Sequence, residues 1–541
     1  MSDRRDYDVD DLSSLLAQGR ISRRQFVLGA LGLGISLGTA NELIRAAQAS
    51  AAPFRVAQGG SLTCGVVNAV GKFDPHGWSG FTSNIATNHI YQGLVRLNFN
   101  TNAIEPCLAT SWEQPNPTTY IYHLRQGVKF HDGTDFTADD VVFSVLRAKK
   151  VSWGGYGLSN FQNIVARDKN TVEVTLSKPD WRFRWFEYWP PGAILSKAYF
   201  DKVGETEAVQ KPIGTNAFQL ASSSPSQLVL QAFPNYWEQG LPHLDKVTLQ
   251  VLDGTTIVTG LKTGQIQLSP DVGFDQLNLV DSFGDVNVKA RVGPHIVQTY
   301  VNMTEKPFND LNVRKAIAEA LDHRAALSAY PTKFYMPSRG AMIHPSFQFS
   351  AYSSVNKMYT SNLAKAKAYL QKSSVPKGFT TEWTVAATRP QELSAALGGQ
   401  ERLGKIGIKV NIKKLPDPDV AGQTYARPRP FQMITYNWLH NMPNALDPLA
   451  ALLTTAALPV SNFSAFSNKE FDQLVAEAIV ATKPAVIGAK LRRLQQIHID
   501  NVPIFVHGWD AIRRAESTKL TTPKQTILGE WDDWFRTTQS S

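Results

Sequence analysis

The sequence predicts an α/β fold divided among several domains, and three observations carry that expectation. The chain has 541 residues, several times what a single small core accommodates. Short runs with apolar/polar alternation of period two dominate its first half, the signature of half-buried strands. Between them lie helical segments with readable N-terminal caps, and strands interleaved with helices point to α/β architecture. A hydrophobic share of 43% and a charged share of 19% are ordinary for a folded globular chain.

In chain order, the first strand is expected over 61–67. Tyr120-Ile121-Tyr122-His123-Leu124 is another, and 171–176 and 246–251 alternate cleanly. Thr137-Ala138-Asp139-Asp140 has the form of a capping box, with Thr137 accepting from a first-turn amide while Asp140 reaches back. Val141, Phe143, Val145 and Leu146 follow as its apolar face. Ser467-Asn468-Lys469-Glu470 reads as a second box opening a helix through Ala481. Further helices are expected over 312–327 and 361–372. Repeats and low-complexity segments are absent.

The N-terminus indicates export. Ser22-Arg23-Arg24-Gln25-Phe26-Val27 precedes a Gly-rich apolar run to about Ala40, then Ala46-Ala47-Gln48-Ala49-Ser50-Ala51. This is a charged region, an apolar region and a small-residue cleavage site in order, and the paired arginines resemble a twin-arginine signal. Arg45 beside the cleavage site disfavours the general secretory route, so cleavage is expected after Ala49 or Ala51. A membrane anchor needs roughly 20 apolar residues, more than this run offers. Ser61-Leu62-Thr63-Cys64 makes a poor lipid-attachment site, because the apolar run lies too far upstream.

Net charge is +9. The segment up to Ala51 holds six arginines and six acids, so the remainder is also +9 (49 minus 40). Lys and Arg are scattered without a basic run, which argues against nucleic-acid binding. The two cysteines, Cys64 and Cys107, read either as buried thiols, the favoured reading, or as a disulfide permitted by an oxidising compartment. No C-x-x-C spacing or other metal motif is present, and no cofactor is implied. His131-Asp132-Gly133 reads as a hairpin turn in which Asp132 bonds its own backbone.

One stretch is more specific. Gly93-Leu94-Val95, Ile104-Glu105-Pro106, Leu108-Ala109-Thr110-Ser111-Trp112, the run from Leu124 to Gly133 and the run from Phe136 to Ser144 closely resemble the signature of the family 5 extracellular solute-binding proteins, the oligopeptide-, dipeptide- and nickel-binding group. Phe73-Asp74-Pro75, Pro212-Ile213-Gly214-Thr215, Pro307-Phe308-Asn309-Asp310 with Val313-Arg314-Lys315-Ala316, and Leu403 with Ile406-Gly407-Ile408-Lys409-Val410 agree in order. The resemblance implies a periplasmic binding protein type II-like fold of the large peptide-binding cluster, with two lobes, a hinge and an extra domain. Lobe I is expected from 52–93, 181–300 and 508–541, the extra domain from 94–180, and lobe II from 301–507. It further implies a monomer that captures a small molecule or peptide between closing lobes. The closed protein delivers it to the transmembrane subunits of an ABC permease with their ATPases, touching the inner membrane only through that permease.

In peptide-binding members a W-x-x-D segment supplies an Asp for the ligand's α-ammonium, while backbone beside the Trp bonds the peptide like an added strand. The matching residues are Asn437, Trp438, Leu439, His440 and Asn441, with an amide at the carboxylate position. A buried ammonium needs a charged partner, whereas Asn offers donors and an acceptor. A polar solute such as an oligosaccharide or sugar–amino-acid conjugate is therefore expected, with peptide and chelated metal as alternatives. Asp447, before Pro448, is expected as a turn residue and is the fallback carboxylate. Trp78, Ser79 and Phe81 on one loop, and Trp153 and Tyr156 on another, are candidate lining residues. Trp181, Phe183, Trp185, Phe186, Tyr188 and Trp189 are expected in core or lobe-edge packing.

A rival reading is a ligand-dependent adaptor for a chemoreceptor or sensor. A secreted hydrolase is disfavoured: the sole G-x-S-x-G, Gly34-Ile35-Ser36-Leu37-Gly38, lies in the export segment, and neither H-E-x-x-H nor a P-loop occurs.

Overall fold

The computed structural model describes residues 59–69, 71–77, 81–98, 103–151, 156–188, 190–324, 334–439, 444–523 and 537–539; the side chains of Phe81, Tyr156, Trp185, Pro294 and Gln539 are outside that description. The export segment and its expected cleavage site therefore lie outside the described residues. Among the described residues, no helix is long and apolar enough to cross a membrane.

Alternation makes the strands as expected. Thr171–Leu176 buries Val172, Val174 and Leu176. It lies between Thr119–Leu124 and Phe161–Asp168 in an antiparallel four-stranded sheet completed by Ala109–Asn116. Helix Ala138–Lys150 packs its Ala138, Val141, Val145 and Ala148 into the same core. Two residues expected on that face leave it: Leu146 is 41% exposed, and Phe143 packs against a neighbouring core. At the helix start, Asp140 Oδ2 accepts from Thr137 N at 2.9 Å and from its hydroxyl at 3.2 Å.

A mixed sheet forms the rest of the frame. Across it the order is Lys409–Leu415, Thr380–Ala386, Met433–Thr435, Val286–Val301, Ile504–Ser517, Leu268–Ser269, Ser61–Val66, Lys246–Val251, Gln227–Ala232 and Phe218–Ser224. Tyr335–Pro337 and Trp438–Leu439 attach beside the two long central strands. Those strands, 16 and 14 residues long, join two cores. Val286, Ala511 and Ala515 sit with Leu261 and Leu277 in one cluster. Tyr300, Val301 and Ile504 to Val506 belong to the large cluster around Phe308, Trp383 and Leu449. Two irregularities break the ladder between these ends, one at Gly293-Pro294 and one at His507. Proline has no N–H to give a ladder, and an unpaired extra residue bends and twists a strand pair. Gly508, beside the second irregularity, is packed so closely by the Tyr335–Pro337 strand that a Cβ there would stand 2.3 Å from the Met336 carbonyl.

Several sequence expectations are corrected. The helix expected over 312–327 is Leu311–Ala320, capped by Asp310, which accepts from Asn312 N at 2.8 Å. The box at 467–470 shifts by one residue. Asn468 is the cap, accepting from Phe471 N at 2.9 Å, and Ser467 is instead hydrogen-bonded to Thr455 at 2.9 Å. The helix expected over 361–372 is Leu363–Gln371, capped by Asn362. Asp447 is not a turn residue: it is buried in the first turn of helix Leu446–Leu453. Cys64 and Cys107 are buried thiols, the favoured reading, each in a different core and not joined by a disulfide. His131-Asp132-Gly133 is the expected turn: Asp132 Oδ1 accepts from Thr134 N at 3.1 Å, Gly133 has φ +86°, and the His131 ring is held against the Asn216 carbonyl at 2.9 Å. Phe183 and Phe186 are core residues, while Trp181 and Tyr188 are half-buried at its edge. Trp189 lies outside the described residues.

Candidate functional site

Trp438 and Leu439 form a two-residue strand laid antiparallel on Val286–Val301, with Trp438 opposite Ile296 and Leu439 opposite His295. The local sequence explains why so short a strand holds. Met433–Thr435 pairs with the same long strand three residues earlier, and Tyr436 N continues the contact to the Gln298 carbonyl at 3.2 Å. Trp438 packs its ring across Phe463 (centroids 6.0 Å apart), and Tyr425, Tyr436 and Tyr300 surround that same phenylalanine.

Two polar atoms here are withdrawn from solvent and have no hydrogen-bond partner among the described residues: the Trp438 indole Nε1 and the Asn437 side-chain oxygen Oδ1. A buried donor or acceptor left without a partner costs about 1–3 kcal/mol. Each is a neutral polar group that a hydrogen-bonding partner would satisfy.

Cross-strand neighbours share a face of a sheet, and the strand pairing adds two residues the sequence reading missed. His295 stands opposite Asp510 on the second long strand, with its Nδ1 3.3 Å from the Asp510 carboxylate. Asp510 is 2% exposed. The available signal was an acidic residue within the otherwise apolar and neutral stretch from Val502 to Ile512, but nothing local pairs it with His295.

The segment leading into the Trp78 loop is fixed by a third missed residue. Arg147, in the last turn of helix Ala138–Lys150, donates to both Asp74 oxygens, at 2.8 and 2.9 Å, and also grips Glu205. Asp74 Oδ1 in turn accepts from His76 N at 3.1 Å, and the His76 ring bonds the Ala193 carbonyl at 3.0 Å. Burial pushes the Asp74 carboxyl up, but the Arg147 guanidinium overrides this and holds it below its ordinary value. Pro212-Ile213-Gly214-Thr215 is a packing motif: a Cβ on Gly214 would fall 1.9 Å from the Ile90 carbonyl, at the end of helix Phe81–Ile90.

Of the expected lining residues, Asn437, Trp438 and Leu439 are brought together. Asn441, Trp78, Ser79 and Trp153 lie outside the described residues. Phe81 starts helix Phe81–Ile90, and Tyr156 starts the turn Tyr156–Leu158; their side chains are not described. Among the described residues, no group of three or more His, Cys, Asp or Glu side chains is placed to hold a metal ion.

Two cores joined by a pair of irregular strands match the fold of the type II periplasmic binding proteins to which the chain is similar. The DppA protein of Helicobacter pylori in complex with the peptide STSA superposes with a TM-score of 0.78 at 25% identity, covering 90% of this chain and 99% of that one. AgaA from A. tumefacien R10, in complex with agropinic acid, gives 0.77 at 23% identity over 89% and 99%. In sequence, the glutathione-binding protein GsiB of Escherichia coli (strain K12) is 27% identical over 464 residues, 83% of this chain and 88% of GsiB. The model of the bacterial extracellular solute-binding proteins, family 5 Middle, matches residues 103–458. The chain belongs to that family: it is a solute-binding component of an ABC importer.

Proposed function

We propose that the protein binds a small polar conjugate, a sugar–amino-acid or opine-like molecule, in preference to a peptide with an unaccompanied N-terminal ammonium, and releases it unchanged to its permease. The observation that carries this reading is that the Asn437–Trp438 segment holds a buried acceptor and a buried donor, both uncharged and without partners among the described residues, which suit hydroxyl or amide groups rather than an ammonium. Asn441 supports it, offering an amide where peptide-binding relatives place a carboxylate. Trp438, Asn437, Leu439 and Asn441 are read as one wall, with Trp78, Ser79, Phe81, Trp153 and Tyr156 facing it. No catalysis is assigned to these groups.

The lobes are read as 52–93, 181–300 and 508–541 against 301–507, with 94–180 as the extra domain. Three clusters fall mainly within lobe I, the extra domain and lobe II, while a fourth joins Leu261, Leu277 and Ala511 to Phe334, Tyr335 and Ala395 of lobe II, and the two boundaries at 300/301 and 507/508 fall within the long strands. Closure over the solute excludes water and strengthens each polar contact within.

A ligand that binds only the folded state raises its melting temperature by mass action. In a thermal-shift panel of mannopinic acid, an oligosaccharide, reduced glutathione and di- to pentapeptides, the conjugates are expected to give the largest shifts. Shifts from peptides alone would overturn the ligand assignment.

The mature protein is read as a periplasmic monomer exported by the twin-arginine route. Replacing Arg23 and Arg24 together with Lys is expected to leave uncleaved precursor in the cytoplasm, read by immunoblot of cell fractions. Normal processing of that variant would assign another route.

A further inference from the structure

A second opening lies among residues that take no part in the site around Trp438. Its walls come from the turn after helix Leu311–Ala320, from the end of strand Tyr335–Pro337 and from the stretch 352–361. The cavity is about 610 Å³, within the roughly 300–1,000 Å³ usual for small-molecule sites.

Its chemistry is one-sided. Arg324, Arg339 and Lys357 line it, all three exposed, and none has an ion-pair partner among the described residues. Three cations around one opening repel each other and attract anions. The one carboxylate in the lining, Asp322, is occupied in part by Arg324 N at 3.0 Å. Asn356 adds a donor: its side-chain oxygen accepts from Ser338 Oγ at 3.0 Å and from Arg339 N at 2.6 Å, so its amide nitrogen remains for a ligand.

The second observation is His323, which also lines the cavity. It is 3% exposed, and neither ring nitrogen has a partner among the described residues. Burial pushes the imidazole down to about 4, so at neutral pH it presents one N–H and one bare nitrogen. Leaving both buried and unpaired is costly, so the cavity wall holds a polar ring that the described residues leave unsatisfied.

We propose that this pocket binds a small molecule carrying two or more anionic groups, phosphate or carboxylate, at a position separate from the transported solute. Arg324, Arg339 and Lys357 supply the charge, and Asn356 supplies a directional bond. Bidentate guanidinium contacts suit both oxyanion types.

Isothermal titration of the purified mature protein with pyrophosphate, and separately with citrate, at matched ionic strength tests this. Wild-type protein is expected to bind at least one probe saturably. The double variant Arg324→Ala/Arg339→Ala is expected to bind it at least about tenfold more weakly, the loss of one or two charged hydrogen bonds. Both side chains are exposed, and an unchanged melting temperature would establish that the variant is folded. Lys357→Glu is expected to weaken binding further, whereas Trp438→Ala is expected to leave it unchanged. The proposal is overturned if neither probe binds more tightly than about 1 mM, or if the double variant binds like wild type. It is equally overturned if Trp438→Ala abolishes binding, which would move the anion to the solute site.

Discussion

Replacing Arg147 with Ala is expected to lower the unfolding free energy by about 3 kcal/mol, read as a lower urea midpoint. The guanidinium is 8% exposed and satisfies two carboxylates from separate segments, Asp74 and Glu205. Removing it strands Asp74, itself 18% exposed, and that partial exposure places the expected cost at the low end for a broken buried pair, about 3–5 kcal/mol. The contact also ties helix Ala138–Lys150 to the segment that enters the Trp78 loop, so solute affinity should fall with stability. Arg147→Lys keeps the charge but cannot reproduce the two-pronged contact and should fall between. A loss below about 1 kcal/mol would mean that this network does not anchor the segment.

Acidification is the second large effect. Burial holds His76, His89, His131, His323, His344 and His498 at about 4 and His507 at about 3, below the ordinary value of 6.5 that they regain on unfolding. The unfolded chain therefore binds more protons across that window. The stability these residues contribute is present above about 6.5 and is lost as pH falls toward 4. Even two such residues give a slope of about 2.7 kcal/mol per pH unit. Glu392 acts oppositely. Burial raises it to about 7, so its contribution is present below 4.5 and is lost as pH rises through 7, but it is one group against seven. The melting temperature is expected to drop steeply between pH 6.5 and 4.5. A flat profile would mean that these imidazoles are reached by water in the folded state.

Much of the frame was legible because it depends on local pattern. The 171–176 and 246–251 strands fall where alternation put them, and the Asp140 cap forms as its spacing implies. The failures have tertiary causes. Helix Leu311–Ala320 ends early because Arg402, far along the chain, donates to the Ala320 carbonyl and, at 2.6 Å, to the Ser361 carbonyl. Ser467 and Asn468 were equivalent as caps until Thr455 engaged the serine. Trp438 is put forward as a lining residue by its motif alone. His295 and Asp510 were invisible because only the long strand pairing brings them face to face. The anchoring role of Arg147 was hidden for the same reason: Asp74 and Glu205 are remote from it in sequence.

Titration of mannopinic acid into wild-type protein and into Trp438→Ala tests the central claim most directly. One molecule is expected to bind at the Trp438 site. Loss of the aromatic anchor should weaken it by about 2 kcal/mol, about thirtyfold in Kd. Equal affinities for the two proteins, or no binding of the conjugate by a wild-type protein that binds trialanine, would contradict the account.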